Sequence, residues 1–225
     1  MLRLALLLTL LGSFISCGDS RTDVPDPAVT MTAAPAGATS SQIWQQQCGV
    51  CHGAAGEGNR ALGAPALTQL SSDYLVRQLT HFVNGIRGAD PKDQAGHRMA
   101  LSVALLAPSD IPALAAFIST DLPPARPEAT LKGEATRGKD YYTHLCSACH
   151  GGNALGNPIL GAPSLAGASD WYLKSAYQGF LDGLRGQHVD DVYGAQMARL
   201  APALSDENDL DDVIAHIMTL PPKRS

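Results

Sequence analysis

Two copies of one short motif decide the interpretation of this sequence: CGVCH at residues 48–52 and CSACH at residues 146–150. In each copy two thiols lie three residues apart, so on one helical turn both can reach the vinyl groups of a haem while the next residue faces the iron. The motifs predict two covalently attached haem c groups. Their attachment sites would be Cys48, Cys51, Cys146 and Cys149, and their proximal iron ligands His52 and His150.

Other uses of paired cysteines are less consistent with this pattern. One Cys-x-x-Cys pair could be a redox dithiol, and two pairs could form one four-cysteine zinc centre. The histidine that follows both pairs argues against each alternative. The chain has five cysteines, and the one outside the motifs is Cys17, so no cysteine remains for a disulfide or a nucleophile.

The motifs belong to a longer internal repeat with an offset of 98 residues. Gly-Ala-Pro occurs at 63–65 and 161–163, and Leu-Pro-Pro ends the two units at 122–124 and 220–222. Two copies of one module therefore predict two domains, at residues 40–124 and 133–225, joined by a Pro-rich linker at 125–132.

The hydrophobic pattern predicts an all-α fold with the same helices in each domain. A first helix, with Ser40 or Ser41 as its N-cap in the first copy, ends at the haem motif. A Gly-rich loop then carries a methionine before the final helix. The predicted middle and final helices span 72–84 and 109–119 in the first domain, and 169–182 and 205–219 in the second.

Two methionines are candidates for the sixth iron ligand. Met99 lies 47 residues after His52, and Met197 lies 47 residues after His150. A single methionine is commonly core filler, but equal spacing from both motifs indicates ligation. Met218 has no repeat partner and is interpreted as a packing residue.

This arrangement resembles class I cytochromes c, and its tandem form resembles the two-haem cytochromes c of type four. The resemblance covers about residues 40–222, and Gly138, Tyr142 and Cys146 match the usual pattern of the first helix. The first domain keeps an aromatic residue, Trp44, but has Ser40 where the family has glycine. Its helix crossing is therefore expected to differ.

The resemblance also implies roles for residues near the haem. The carbonyl groups of Pro65 and Pro163, each 13 residues after its histidine, would accept the proton on the far ring nitrogen of the ligand; alternatively these prolines only shape a loop. Arg87 and Arg185 could pair with haem propionates, or they could be exposed surface residues.

The N-terminal segment predicts export. Arg3 precedes an apolar run at 4–11, and Ile-Ser-Cys ends at Cys17, which predicts a lipoprotein-type signal peptide at 1–17 with Cys17 as the acylated residue. The alternative is ordinary cleavage near Gly18. Residues 18–39 would form a flexible tether, holding the protein on the periplasmic side of a Gram-negative membrane by its lipid anchor.

Charge and ligation together favour electron transfer over other functions. A net charge of -5 and a pI near 5.7 argue against nucleic acid. His/Met ligation of both irons predicts a non-enzymatic carrier between a donor, such as a quinol-oxidising complex or a dehydrogenase, and a terminal oxidase or reductase. The alternatives are a two-haem peroxidase or thiosulfate-oxidising enzyme, and a fixed subunit of a larger dehydrogenase or oxidase.

Overall fold

The computed structural model describes Pro35 and residues 37–204 and 206–222. The predicted signal peptide, its candidate acylation site Cys17 and most of the predicted tether lie outside these residues. Within the described part the chain is helical, and its extended pairing is limited to two isolated bridges, Asn59 with Ala64 and Asn157 with Ala162. The all-α prediction is confirmed.

Within its described residues, each domain contains four helices in the same order. In the first domain α1 spans residues 40–52, and the helices that follow are α2 (Ser72–Val83), α3 (Gln94–Val103) and α4 (Ile111–Thr120). In the second domain α5 spans residues 135–150, followed by α6 (Asp170–Leu181), α7 (Val192–Leu200) and α8 (Glu207–Thr219). Short 3₁₀ turns occupy Arg60–Leu62, Pro108–Asp110 and Ala201–Leu204.

Each of the two helices that carry the haem motifs contains a π-helical stretch. It covers Trp44–Cys48 in α1 and Tyr142–Cys146 in α5, directly before the last turn of each helix. Single π turns inside α-helices commonly mark functional sites. Here the wider turn begins at the large buried aromatic residue and ends at the first cysteine of the motif.

The N-caps differ from the prediction at two helices. Thr39, rather than Ser40 or Ser41, caps α1 through a capping box in which its side chain accepts from Gln42 N–H and the Gln42 side chain accepts from Thr39 N–H. Asp206 caps α8, which therefore begins at Glu207 and not at 205. Both caps place an oxygen against otherwise unpaired N–H groups of the first helical turn.

The expectation that loops carry the methionines is wrong, because Met99 lies within α3 and Met197 within α7. The glycines before each methionine suggested a loop, but in the structure they allow a side chain to cap the helix. Asp93 Oδ1 accepts from Gly96 N–H at 2.8 Å as the N-cap of α3, and a Cβ at Gly96 would lie 2.0 Å from Asp93 Oδ2. The glycine makes room for a helix cap, and the same arrangement recurs in α7.

Each domain has its own hydrophobic core, which includes the aromatic residue of its first helix. Trp44, which is 1% exposed, donates from Nε1 to Ala54 O at 2.9 Å, and Tyr142, also 1% exposed, donates from its hydroxyl to Gly151 O at 2.6 Å. Both bonds join the first helix to the loop that follows the haem motif. Satisfying the polar end of a buried aromatic side chain lets its ring fill the core.

The second domain pairs its first and last helices closely. A Cβ at Gly138 of α5 would lie 1.9 Å from Asp212 O of α8, so only glycine allows this approach. The His216 ring lies 5.5 Å from the Tyr142 ring with 55° between their planes. The ring of His216 therefore packs against the ring of Tyr142 between these two helices.

The linker is attached to both domains. Ala125 N–H donates to Thr68 Oγ1 of the first domain at 2.7 Å, and Leu131 N–H donates to Asp170 Oδ2 of the second domain, also at 2.7 Å. Bonds at both ends hold this Pro-rich segment in one conformation.

No single helix among the described residues is long and apolar enough to cross a membrane. One pair of helices, Gln94–Val103 and Pro108–Thr120, meets the length and composition requirements of a broken span, with a bend of 97° between the two helices.

Candidate haem sites

The proximal histidines are held in the same way in both domains. His52 Nδ1 lies 2.8 Å from Pro65 O, and His150 Nδ1 lies 2.9 Å from Pro163 O. Because a carbonyl oxygen only accepts, Nδ1 must carry the proton, which leaves the lone pair of Nε2 free for a metal. The two prolines thus make the contacts that the resemblance implies.

Burial keeps both rings neutral. It lowers the pKa of His52 and of His150 below the usual value of 6.5, although the proline carbonyls oppose this shift. A neutral imidazole with one oriented N–H is the form that binds a metal. Both histidines are therefore prepared as ligands near neutral pH.

The first cysteine thiol of each motif shows no activation as a nucleophile. Burial, with a smaller contribution from the second cysteine of the motif, raises the pKa of Cys48 to about 12 and that of Cys146 to about 11. Reactive Cys-x-x-Cys dithiols instead have a lowered pKa. This difference argues against the redox-dithiol alternative.

A zinc centre is also inconsistent with the structure. Among the residues described, no group of three or more His, Cys, Asp or Glu side chains is placed to hold a metal ion. The two Cys-x-x-Cys pairs therefore do not meet in one four-cysteine site.

A large, mainly apolar cavity lies beside the second motif. Cys146, Cys149, His150 and Met197 all line it, so the attachment sites and both candidate ligands face one space. The other walls are mainly aliphatic and aromatic, including Leu145, Leu165, Tyr177, Phe180, Val213 and Ile217. An apolar slot with two thiols, a neutral histidine and a thioether matches the chemistry of haem c.

The positions of the two methionines follow the repeat. Met197 lines the cavity of the second domain, and Met99, half-buried, packs against the core of the first. Iron ligation by Met99 and Met197 stays a prediction. Met218 packs against the second core, in agreement with its interpretation as a packing residue.

The two repeated arginines lie in or near the surface between the domains, which we call the domain seam (Arg77, His81, Arg87, Tyr172, Arg185 and Asp191). Arg87 donates to Gln78 Oε1 at 2.6 Å and to Tyr172 OH at 3.4 Å, and Arg185 lies over the Phe180 ring at 4.4 Å. Burial opposes ionisation of Tyr172, but the two guanidinium groups lower its pKa to about 8. Neither arginine is an exposed surface residue.

Sequence reasoning missed a hydrogen bond that joins the two domains at the seam. Arg77 Nη2 donates to Gly161 O at 2.5 Å across 84 positions of sequence. The one signal available was a departure from the repeat, because the counterpart of Arg77 is Ser175. His81 is also buried in the seam, with its Nδ1 3.7 Å from Asp191 Oδ1.

The chain matches one protein family over most of its length. The family model described as cytochrome c matches twice, at residues 38–121 and 135–221. These two matches fall on the two helical domains and include both haem motifs.

Two curated relatives are tandem proteins of similar size. The thiosulfate dehydrogenase electron acceptor of Thiomonas intermedia is 34% identical over 68% of this chain and 71% of its own length. Cytochrome c4 of Stutzerimonas stutzeri is 28% identical over 77% of this chain and 84% of its own length. The chain also matches the Cbb3-type cytochrome c oxidase subunit FixP of Bradyrhizobium, at 32% identity, but spans only 47% of it.

Solved structures agree with these relatives. Cytochrome c4 of Acidithiobacillus ferrooxidans superposes with a TM-score of 0.62 at 25% identity, covering 77% of this chain and 98% of that one. Thiosulfate dehydrogenase (TsdBA) of Marichromatium purpuratum gives a TM-score of 0.63 at 26% identity, covering 81% of this chain but 40% of the other.

Proposed function

The chain belongs to the cytochrome c family and has two haem c sites, and from this premise we propose that it is a periplasmic, non-enzymatic carrier that passes single electrons between proteins. The observation that carries the proposal is that the two proximal histidines make the same hydrogen bond to a proline carbonyl. His52 is buried and His150 is half-buried, and both are neutral and oriented by a proline carbonyl. An enzyme of this kind would be expected to treat one iron differently from the other.

The residues of the chain have the roles that a carrier needs. When bound, haem c supplies an iron that takes up and releases one electron. His52 with Met99, and His150 with Met197, would be the protein ligands of the iron in the first and second haem, which would leave no ligand position for a substrate. The apolar walls exclude water and so limit the rearrangement that accompanies a change of charge.

An enzymatic role in thiosulfate oxidation is the second candidate, because a thiosulfate dehydrogenase is among the structural neighbours. The chain spans less than half of that protein. All four cysteines outside the N-terminal segment belong to haem motifs, so no thiol remains to hold a sulfur substrate near iron. We therefore place the chain on the accepting side of such a reaction.

The partners follow from the same comparison. The similarity to the thiosulfate dehydrogenase electron acceptor of Thiomonas supports a dehydrogenase as donor, and the similarity to an oxidase subunit supports a terminal oxidase as acceptor. A fixed position inside such a complex remains the alternative to a mobile carrier. Purification of the delipidated protein as a single chain would support the mobile form.

Localisation and domain limits complete the proposal. We propose that the lipoprotein-type signal at 1–17 is cleaved directly before Cys17 and that Cys17 is acylated as the mature N-terminus. The tether at 18–39 then joins this anchor to the domain at 40–124, and the linker at 125–132 joins that domain to the one at 133–225. Intact mass of the purified protein and its loss from the membrane fraction on Cys17→Ser substitution would test the anchor. An unlipidated mature protein that begins near Gly18 would contradict it.

The decisive experiment is spectroscopic. Haem content per chain, with absorption and magnetic circular dichroism spectra of the ferric and ferrous forms, is measured with and without carbon monoxide. Two low-spin haems with the methionine-sulfur charge-transfer signature and no carbon monoxide uptake are expected. Carbon monoxide binding to one haem of the unmodified protein would overturn the carrier assignment and favour an enzyme.

A further inference from the structure

Arg77 extends from the first domain to the backbone of the second. Its Nη2 donates to Gly161 O at 2.5 Å, and Gly161 is buried. The guanidinium carbon lies 4.5 Å from the centre of the Tyr193 ring and 5.1 Å from that of Tyr74. Arg77 is therefore fixed between one aromatic ring from each domain.

The accepting carbonyl belongs to the loop that orients the second proximal ligand. Gly161 is two residues before Pro163, whose carbonyl oxygen lies 2.9 Å from His150 Nδ1. The Tyr193 ring also packs directly on Gly161, where a Cβ would lie 2.5 Å from Tyr193 Cδ1. Arg77 and Tyr193 together hold the start of this loop.

The first domain also forms part of the second cavity itself. Gln69, Leu70, Tyr74, Arg77 and Gln78 line the space that contains Cys146, Cys149 and His150. Arg77 Nε is buried there without a hydrogen-bond acceptor among the described residues. A buried donor of this kind on a cation suits an anionic group at the edge of the cavity, such as a carboxylate of the haem.

The second domain has no equivalent of Arg77 at the repeated position. Ser175, the counterpart of Arg77, is exposed and too short to make the equivalent bond. By this side chain the first domain acts on the second haem site, and Ser175 gives the second domain no equivalent of this contact.

We propose that Arg77 is a cross-domain positioning residue for the second haem, holding the loop 161–163 that orients His150 and supplying a positive charge at the edge of its cavity. The proposal rests on haem attachment in the second domain and is independent of the redox partners. A nearby cation favours the reduced state of an iron centre, since oxidation adds a positive charge. Arg77 therefore raises the reduction potential of the second haem.

The test uses the full-length, haem-loaded protein with Arg77→Ser, which installs the residue of the repeat, and Arg77→Lys, which keeps the charge. Arg126→Ser, a change at an exposed linker arginine, is the matched control for charge. Haem content per chain is measured first, so a failure of haem attachment is distinguished from a failure of this proposal. Proton NMR of the ferric protein then resolves the two haems and the ring N–H of each proximal histidine.

In Arg77→Ser we expect the reduction potential of the second haem to fall. The ratio of ferric to ferrous haem should rise about tenfold, which is about 59 mV for one electron. The His150 Nδ1 proton should move and exchange faster, while the His52 signals stay unchanged. Arg77→Lys should recover most of the potential, and Arg126→Ser should alter neither haem. Equal shifts at both haems, or none at the second, would overturn the proposal, as would a Lys variant that behaves like the Ser variant.

Discussion

Asp170 accepts a hydrogen bond from Leu131 N–H at 2.7 Å, and this contact attaches the end of the linker to the second domain. The same carboxylate accepts from the N–H and hydroxyl groups of Thr130 and from Trp171 N–H, and its residue is 1% exposed. Ser72 occupies the equivalent position of the first domain. The clamp is thus specific to the copy that follows the linker.

Asp170→Asn should lower the free energy of unfolding by about 1–3 kcal/mol, because a buried backbone donor loses its charged acceptor. Denaturant unfolding of the haem-loaded protein measures this effect. Asp73→Asn, at an exposed acid in the first turn of the equivalent helix α2, is the control and should change stability by less than about 0.5 kcal/mol. Equal losses from both variants would show that the clamp carries no special stabilisation.

The stabilisation by Asp170 should also depend on pH. Burial raises the pKa of its carboxyl group, but the bonds from Leu131, Thr130 and Trp171 outweigh burial and hold the pKa below the usual 3.8. A depressed pKa contributes stability that is complete well above pH 3.8 and is lost as pH falls through the lower value of the folded state. The difference between wild type and Asp170→Asn should therefore be constant near neutral pH and shrink in acid. A difference that stayed constant as the pH fell through and well below 3.8 would contradict this assignment.

Gly138→Ala should destabilise the second domain, because its Cβ would meet Asp212 O at 1.9 Å. Helix α5 must move away from α8, at a cost of about 1–3 kcal/mol. The repeat supplies the control, since Ser40 already carries a side chain at the equivalent position, and Ser40→Ala should change little. Thermal unfolding of both variants measures the comparison, and a neutral Gly138→Ala would show that the helix pair adjusts freely.

Met197→Ala should open one iron position in the second haem site. We expect the charge-transfer signature of one haem to disappear and one equivalent of carbon monoxide to bind per chain. Met218→Leu is the matched control, because Met218 only packs against the second core. Retention of both signatures in Met197→Ala would show that another residue is the ligand.

The haem sites were accessible to sequence reasoning because their chemistry is local. Two cysteines and a histidine within five residues fix the geometry of attachment on one helical turn, and the proline contact spans only 13 residues. The helices that carry the methionines were not predicted. The glycines before each methionine indicated a loop, whereas in the folded chain Gly96, having no Cβ, makes room for the capping carboxylate of Asp93.

The amino-acid sequence by itself determined the repeat, the two haem attachment motifs and the all-α class. Only the tertiary structure decided what joins the halves, namely the bond from Arg77 to Gly161 and the Asp170 clamp on the linker. The physical reason lies in the range of the interactions. Motif geometry is set by neighbouring residues, but a contact across 84 positions exists only once the packing of both domains has fixed their orientation.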